Sequence, residues 1–361
     1  MKIMYDYQIF LLQVYGGVSR YHVELAKETN KINDSKVNIP VIYNRNEYLF
    51  NSFGIKKYDY NNRLKRYLIR KVNALYSVAE SQKQNIVHLT WFNPYLYGKT
   101  KAKIIVTIPD MIQELFWRER KGYKKEIENK KRSIYESDGI IVVSNNTKED
   151  LLKFYPDIPE EKIKVIYNGT NHLIKKEDIS ISLPEKYILY VGNRSDYKGF
   201  DFMIDALSEF LKERNDIKML AVGGGPFSAE EKEHFEKLSI SEAVIQTNIK
   251  DDELSSVYKR AICFIYPSFY EGFGMPILEA FDNDCPLICT NSSSLPEVGG
   301  DSVLYFEKGN AKQLEEAVIS FVENNDKRTE YIEKGRDRKE FFTYEKCARE
   351  TLDFYQKILE K

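Results

Sequence analysis

Two glutamates eight residues apart, Glu271 and Glu279, bracket the tripeptide Gly272-Phe273-Gly274 and Pro276. Carboxylates suit the hydroxyls of a sugar or a ribose, and the paired glycines let the backbone approach a ligand closely. Amides at the start of a helix can face an anion such as a diphosphate. A nucleotide-sugar needs both kinds of contact. The apolar run Cys263-Phe264-Ile265-Tyr266 upstream reads as a buried strand, the Pro-Ser-Phe-Tyr segment breaks it, and Pro276 suits the first residue of a helix. One glutamate therefore falls in a strand-to-helix loop and the other in the first helical turn. For a single glutamate the plainer reading is an acidic first turn favoured by the helix dipole.

A second candidate element is Val191-Gly192-Asn193-Arg194-Ser195-Asp196-Tyr197-Lys198-Gly199. A strand ends at Gly192, and a helix begins near Phe200 with apolar positions at Phe202, Ile204, Leu207, Phe210 and Leu211. Arg194 and Lys198 thus lie in a loop at the carboxyl end of a parallel strand, where open α/β sheets bind ligands. Fixed cations there would stabilise charge developing on a departing diphosphate. Near the N-terminus, Tyr15-Gly16-Gly17-Val18-Ser19-Arg20-Tyr21 opens a helix through Val23, Leu25 and Ala26. This glycine loop suits a phosphate or sugar contact, or a plain tight turn; it has no third glycine and so is not a dinucleotide fingerprint. Gly223-Gly224-Gly225-Pro226 ends a further strand.

The Glu271–Glu279 segment resembles the paired-glutamate motif of retaining glycosyltransferases of the family 4 type (glycosyl transferases group 1), and Gly192–Gly199 is similar to their Gly-x-Arg-x-x-x-Lys-Gly element. The resemblance implies that Glu279 holds the nucleotide ribose, that Glu271 lies against the donor sugar, and that Gly272, Phe273 and Gly274 cradle the diphosphate. It gives Arg194 and Lys198 the leaving diphosphate, with Gly192 close by. Gly224 falls in a turn beside the base, and the Gly16-Gly17 loop closes over the donor. The catalytic set it implies is Glu271, Arg194, Lys198 and Asp110. It also implies the GT-B fold, two Rossmann-like α/β domains facing each other across a cleft, and transfer without a bound metal or cofactor.

One departure matters. After the strand Ile104–Ile108 relatives show Thr-x-His-Asp, and here the order is Thr107-Ile108-Pro109-Asp110. Proline neither donates a hydrogen bond nor moves a proton, and in relatives the histidine often contacts the sugar's O6. Its absence admits a donor without a 6-hydroxyl, a 6-deoxyhexose or a pentose, or else a noncatalytic nucleotide-sugar-binding partner subunit. A nucleotide-sugar epimerase of similar architecture is a further alternative. His88, ending the preceding strand, could partly substitute for the histidine or be a satisfied core residue.

The elements that must position these residues alternate from end to end, which argues for parallel sheets of βαβ units. Strands are expected at Lys2–Tyr5, Asn38–Tyr43, Ile86–Leu89, Ile104–Ile108, Gly139–Ser144 and Val165–Ile166. In the second half they fall at Tyr187–Val191, Lys218–Val222, Val244–Ile245, Cys263–Tyr266, Leu287–Thr290 and Val303–Phe306. With 361 residues the chain suits two domains. The first is expected at 1–172 and would bind the acceptor, with a closing helix at 342–361 packed back on it. The second, at 183–341, would bind the donor, and the polar stretch to Pro184 would link them.

Although 42% of residues are hydrophobic, no apolar run approaches the ~20 residues of a membrane span. The opening Met1–Tyr5 reads as a strand rather than a signal peptide. Cys263, Cys285, Cys289 and Cys347 lack disulfide or zinc spacing, and four scattered histidines make a histidine-rich metal site untenable. A cytoplasmic protein, peripheral on the inner face of the plasma membrane, is expected. Net charge is −1, but residues 1–180 carry 31 Lys and Arg against 21 Asp and Glu. The basic half suggests an anionic partner, and with no nucleic-acid-binding signature present a membrane surface or lipid phosphate fits better than nucleic acid. Within it, Asn62–Val72 places Leu64, Tyr67, Leu68 and Val72 at helical spacing among basic residues, as either a membrane-surface helix or one packed on its sheet. The basic run Trp117–Arg132 suits an acceptor-side loop or helix. Acidic pairs at Asp251-Asp252 and Asp282–Asp284 read as helix caps.

The reading as a whole is a metal-independent, retaining glycosyltransferase. It would move a hexose or deoxyhexose from a nucleotide-diphosphate sugar to a saccharide acceptor, lipid-linked, in surface-polysaccharide synthesis.

Overall fold

The computed structural model describes residues 1–32, 35–58, 62–170, 182–250 and 252–361. The chain divides into two compact units, Met1–Gly169 with Thr343–Lys361, and Thr170–Phe342. Residues 171–181, most of the expected linker, lie outside the described residues, as does Asp251.

The first unit holds β1 (Lys2–Tyr5), β2 (Lys36–Asn38), β3 (Ile86–Leu89), β4 (Lys103–Ile108), β5 (Gly139–Val142) and β6 (Ile163–Val165). They pair in parallel in the order β2-β1-β3-β4-β5-β6. The second unit holds β7 (Tyr187–Val191), β8 (Lys218–Val222), β9 (Val244–Thr247), β10 (Cys263–Tyr266), β11 (Leu287–Thr290) and β12 (Leu304–Phe306). These are also parallel, in the order β12-β11-β10-β7-β8-β9. Every residue of β3, β5, β10 and β11 is buried, as continuous apolar runs require when helices cover both sheet faces.

Both orders contain a reversal. In the second unit the chain leaves β7 for β8 and β9, then returns to build β10, β11 and β12 on the other side. Loops after β7 and β10 therefore diverge and leave a crevice at the strands' carboxyl ends, the place where open α/β sheets bind ligands. In the first unit β1 and β3 form the equivalent pair.

One expected strand is wrong. Residues 39–43 are not a strand, and β2 covers only Lys36–Asn38. Pro40 has no amide proton to continue a ladder. The side chain of Asn73 takes over instead, accepting from the amides of Ile42 at 2.9 Å and Tyr43 at 3.3 Å and donating to the Tyr43 carbonyl at 2.9 Å.

The helix Tyr344–Leu359 contributes Tyr344, Cys347, Ala348, Leu352, Tyr355 and Ile358 to the same apolar core as Ile3, Tyr5 and Leu25. Its Tyr355 hydroxyl lies 2.6 Å from His88 Nδ1, and Thr107 Oγ1 lies 2.7 Å from His88 Nε2. His22 and Tyr5 pack edge-on against the same ring. His88 is thus a satisfied core histidine with both ring nitrogens committed, and it cannot stand in for the histidine that Pro109 replaces.

Burial pushes the His88 pKa down to about 3, and burial together with His88 pushes His22 well below its usual value. The folded chain therefore refuses protons that the unfolded chain accepts below about pH 6.5. Stability held above that pH is lost as pH falls from about 6.5 toward 3, by about 1.4 kcal/mol per pH unit for each histidine. Urea unfolding between pH 6.5 and 5, above most carboxylate titration, should show a slope rising from about one proton at pH 6.5 to near two at pH 5, and about half of that in His88→Gln. An unchanged slope would mean that His88 is charged in the folded protein.

Candidate functional site

The second unit's crevice is built by close backbone approach. Gly199, at φ +68°, starts the helix Phe200–Glu213, and a Cβ there would lie 2.2 Å from the Pro267 carbonyl oxygen. The loop after β7 is thereby pressed onto the loop after β10, and the Phe269 amide donates to the Tyr197 carbonyl at 2.7 Å. That contact carries Lys198 to Glu271, with Nζ 2.6 Å from Oε1 and both side chains largely buried. Tyr197 and Tyr266 flank the ammonium at 5.2 and 5.9 Å from their ring centres. The Tyr266 hydroxyl also bonds Glu271, and its pKa is raised well above normal by burial first and then by the Glu271 charge.

Glu271 is held from behind. Ser293 and Ser294 hydroxyls donate to its carbonyl at 2.6 and 2.9 Å, and its amide donates to Ser293 Oγ at 3.2 Å. Ser293 reaches this position at φ +56°, a left-handed conformation unusual for serine. Sequence reasoning missed these two hydroxyls. Their signal was a run of three serines directly after β11.

Gly274, at φ +101°, caps the helix Met275–Asp282 with Pro276 in its first turn, and a Cβ there would press on Leu295 and Ile277. Gly272 and Phe273 are buried beside it. Glu279 sits in the second turn of this helix rather than the first, because the helix begins at Met275, and Tyr258 donates to its carboxylate at 3.3 Å. The structure thus brings Lys198, Glu271 and the Gly272–Gly274 loop to the β7/β10 reversal, with Glu279 on the helix that follows.

Arg194 departs from expectation. Its guanidinium is not turned toward Glu271 but lies under the glycine turn, donating to the carbonyls of Gly223, Gly225 and Pro226 at 3.1 Å each. It pairs with Glu231 at 2.5 Å and covers the Phe227 ring at 4.8 Å, with only 7% of its side chain exposed. Burial opposes the Glu231 charge, yet Arg194 and Ser228 hold its carboxyl below the usual range. Gly223, Gly224 and Gly225 all have positive φ, and a Cβ on Gly224 would strike Arg194 Nη1 at 2.6 Å. Gly224 is therefore required by Arg194, and Gly192 spends its amide on the Val222 carbonyl at 2.9 Å.

Asp110, Gly16 and Gly17 belong to the first unit. Asp110 accepts from the Ile112 amide at 3.0 Å, and the buried Lys130 donates to its carbonyl at 2.8 Å. Gly16 makes room for Gln13, whose side chain accepts from the Ser19 amide at 3.0 Å and so caps the helix Gly17–Thr29. Pro109 is half-buried after β4.

The first unit has a crevice of its own. A cavity of about 410 Å³ follows β1 and β3, lined among others by Tyr7, Arg70, Trp91, Asn93, Lys125 and Glu126. Gln8 bridges the two loops, donating to the carbonyls of Trp91 and Asn93 at 3.2 and 3.1 Å. Burial raises the Glu126 pKa, and the Trp91 indole donates to its carboxyl. Aromatic faces and two cations suit a sugar that carries phosphate.

Gly199→Ala should cost about 2 kcal/mol or more of stability, since the left-handed φ and the Pro267 carbonyl both oppose a Cβ. It should also weaken thermal stabilisation by a nucleoside diphosphate. Ser241→Ala, at an exposed position just ahead of β9, should change neither. Equal behaviour of the two variants would refute the assigned role of the Gly199 contact.

Comparison with known proteins agrees with this geometry. The sequence pattern of Glycosyltransferase Family 4 matches residues 15–172, and that of Glycosyl transferases group 1 matches residues 173–338. O-antigen chain mannosyltransferase B of Escherichia coli is 34% identical over 30% of this chain and 28% of its own length. The N-acetylgalactosamine-N,N'-diacetylbacillosaminyl-diphospho-undecaprenol 4-alpha-N-acetylgalactosaminyltransferase of Campylobacter jejuni is 25% identical over 60% of each chain. The chain thus spans less than two thirds of the length of either relative. Among solved structures, Anabaena HepE in complex with UDP and glucose superposes with a TM-score of 0.73 at 15% identity, covering 98% of both chains, and so shares the fold. Two parallel six-stranded sheets, two matched patterns spanning residues 15–338 and a shared fold lead to one conclusion: the chain belongs to the family 4 glycosyltransferases, of the glycosyl transferases group 1 and the GT-B fold.

Proposed function

We propose that this protein is a retaining glycosyltransferase. It moves a hexose or deoxyhexose from a nucleotide-diphosphate sugar to a lipid-linked saccharide in surface-polysaccharide synthesis, without a bound metal or cofactor. The observation that carries the reading is the Lys198–Glu271 pair, 2.6 Å apart at the sheet reversal. The relatives' names, an O-antigen mannosyltransferase and a diphospho-undecaprenol glycosyltransferase, support the acceptor class.

In this reading the anomeric bond breaks with its electron pair left on the β-phosphate oxygen. Lys198 stabilises that charge as it forms, and the Gly272–Gly274 loop cradles the diphosphate ahead of a helix start. Glu271 lies against the sugar and supports its developing positive charge. Glu279 holds the ribose. Arg194 acts through the Gly223–Pro226 turn, shaping the wall beside the base rather than meeting the phosphates directly. Asp110, in the first unit's loop after β4, completes the proposed catalytic set. The cavity after β1 and β3 takes the acceptor.

Nucleotide-sugars that are donors should raise the melting temperature in a concentration-dependent way. With the stabilising donor, nucleoside diphosphate release should rise on adding a saccharide acceptor and persist in a metal chelator. Lys198→Ala and Glu271→Ala should each lower it by about 10²–10³-fold. Turnover that needs no acceptor and returns an epimerised donor would favour the epimerase instead. Unimpaired release in both variants would defeat the proposed chemistry.

Pro109 supports a donor lacking the 6-hydroxyl. Pro109→His should therefore improve kcat/KM for 6-hydroxylated donors relative to 6-deoxy donors. An unmoved ratio would remove Pro109 as a specificity determinant.

A further inference from the structure

The helix Arg63–Ser81 is amphipathic with its faces inverted. Its buried positions are Asn73, Ser77 and Ser81, all small and polar, with Ala74 and Val78 only partly covered. Its apolar residues point outward: Leu64 is 65% exposed, Tyr67 56%, Leu68 52%, Val72 41% and Leu75 72%. They recur at three- and four-residue spacing, so they form one continuous stripe along the helix. Leaving such a stripe in water is unfavourable, and packing within the unit has not covered it.

The flanking charge identifies what does. Lys65 and Lys71 border the stripe, Arg66 and Arg70 continue the spacing of the Asn73, Ser77 and Ser81 face with Arg63 beside them, and the one acid in the helix, Glu80, sits at its far end. An apolar stripe bordered by two lysines, with no acid before Glu80, matches the boundary between acyl chains and anionic headgroups, where each cation near the surface contributes about 1 kcal/mol. A protein groove could bury the aliphatic stripe, but the flanking lysines with no acid among them before Glu80 favour an anionic bilayer. Among the described residues no helix is long and apolar enough to cross a membrane. This one is suited to lie on it. Arg70 also lines the 410 Å³ cavity after β1 and β3, and Leu12, on the cavity wall, is 45% exposed.

We propose that the helix Arg63–Ser81 docks the protein on an anionic bilayer, its Leu64–Leu75 stripe in the headgroup boundary, so that the cavity beside Arg70 opens where a lipid-linked acceptor presents its phosphates. The proposal builds on the lipid-linked acceptor reading above, yet its docking step is measurable without turnover.

The test is flotation of the full chain with vesicles of phosphatidylglycerol and phosphatidylcholine against vesicles of phosphatidylcholine alone. The chain should float with the anionic vesicles only, and less at high salt. Leu64→Gln/Leu68→Gln/Leu75→Gln should lower binding by at least tenfold, and Lys65→Gln/Lys71→Gln should lower it and flatten the salt dependence. All five positions are exposed, so unchanged circular dichroism and unchanged stabilisation by a donor should accompany the loss. Flotation that survives the triple substitution, or no flotation of the parent chain, would overturn the proposal. So would a dimer in light scattering that the leucine substitutions dissolve, because the stripe would then face a second copy. Flotation of a chain that turns over no nucleotide-sugar would leave docking standing and defeat only the enzymatic reading.

Discussion

The site depends on the approach of Gly199 to the Pro267 carbonyl. Two loops that leave neighbouring parallel strands in opposite directions must be drawn together before a lysine on one can meet a carboxylate on the other. A side chain at position 199 would keep them apart, since its Cβ would lie 2.2 Å from the carbonyl oxygen. With glycine there the Tyr197–Phe269 backbone hydrogen bond closes, and Lys198 arrives 2.6 Å from Glu271 with both side chains mostly out of water. Partial burial strengthens their attraction, while the serine hydroxyls behind Glu271 fix its backbone. The pair is thus preorganised, which is what stabilising a transient charge requires.

Arginine and lysine divide the work here according to their shapes. The planar guanidinium of Arg194 satisfies three carbonyls and a carboxylate at once, a task for a rigid fork with five donors. Three consecutive glycines at positive φ turn those carbonyls toward it. Lys198 is a compact charge on a flexible stem, able to exchange one anionic partner for another. The residue that holds the glycine turn and the residue that pairs with Glu271 are therefore different ones, although the sequence places them four positions apart in one motif.

Much of this was legible in the sequence where local rules act alone. Strands buried on both faces are runs such as Ile140–Val142 or Cys263–Tyr266, and a strand-to-helix turn is marked by glycines and Pro276. Legibility failed where a distant group decides. Asn38–Tyr43 reads as β-prone, but Pro40 interrupts the ladder and Asn73, more than thirty residues on, takes its hydrogen bonds. The partners of Arg194 lie 29 to 37 residues downstream with no periodic signal. His88 looked available until Tyr355, 267 residues away, was placed on its ring nitrogen.

The helix Arg63–Ser81 shows the same limit in another form. Periodicity reports that one face is apolar, never which face the fold covers. Ordinarily burial resolves this, because leaving the apolar face in water costs more than leaving the polar one. Here Asn73 supplies hydrogen bonds that the 42–43 backbone needs, and this anchors the polar face inward. Losing the bonds to the Ile42 and Tyr43 backbone would cost about 0.5–1.5 kcal/mol each. Burying the five exposed apolar side chains would be worth more than those three bonds, so the polar anchor alone does not set the orientation, and the bilayer proposed above would supply the remainder.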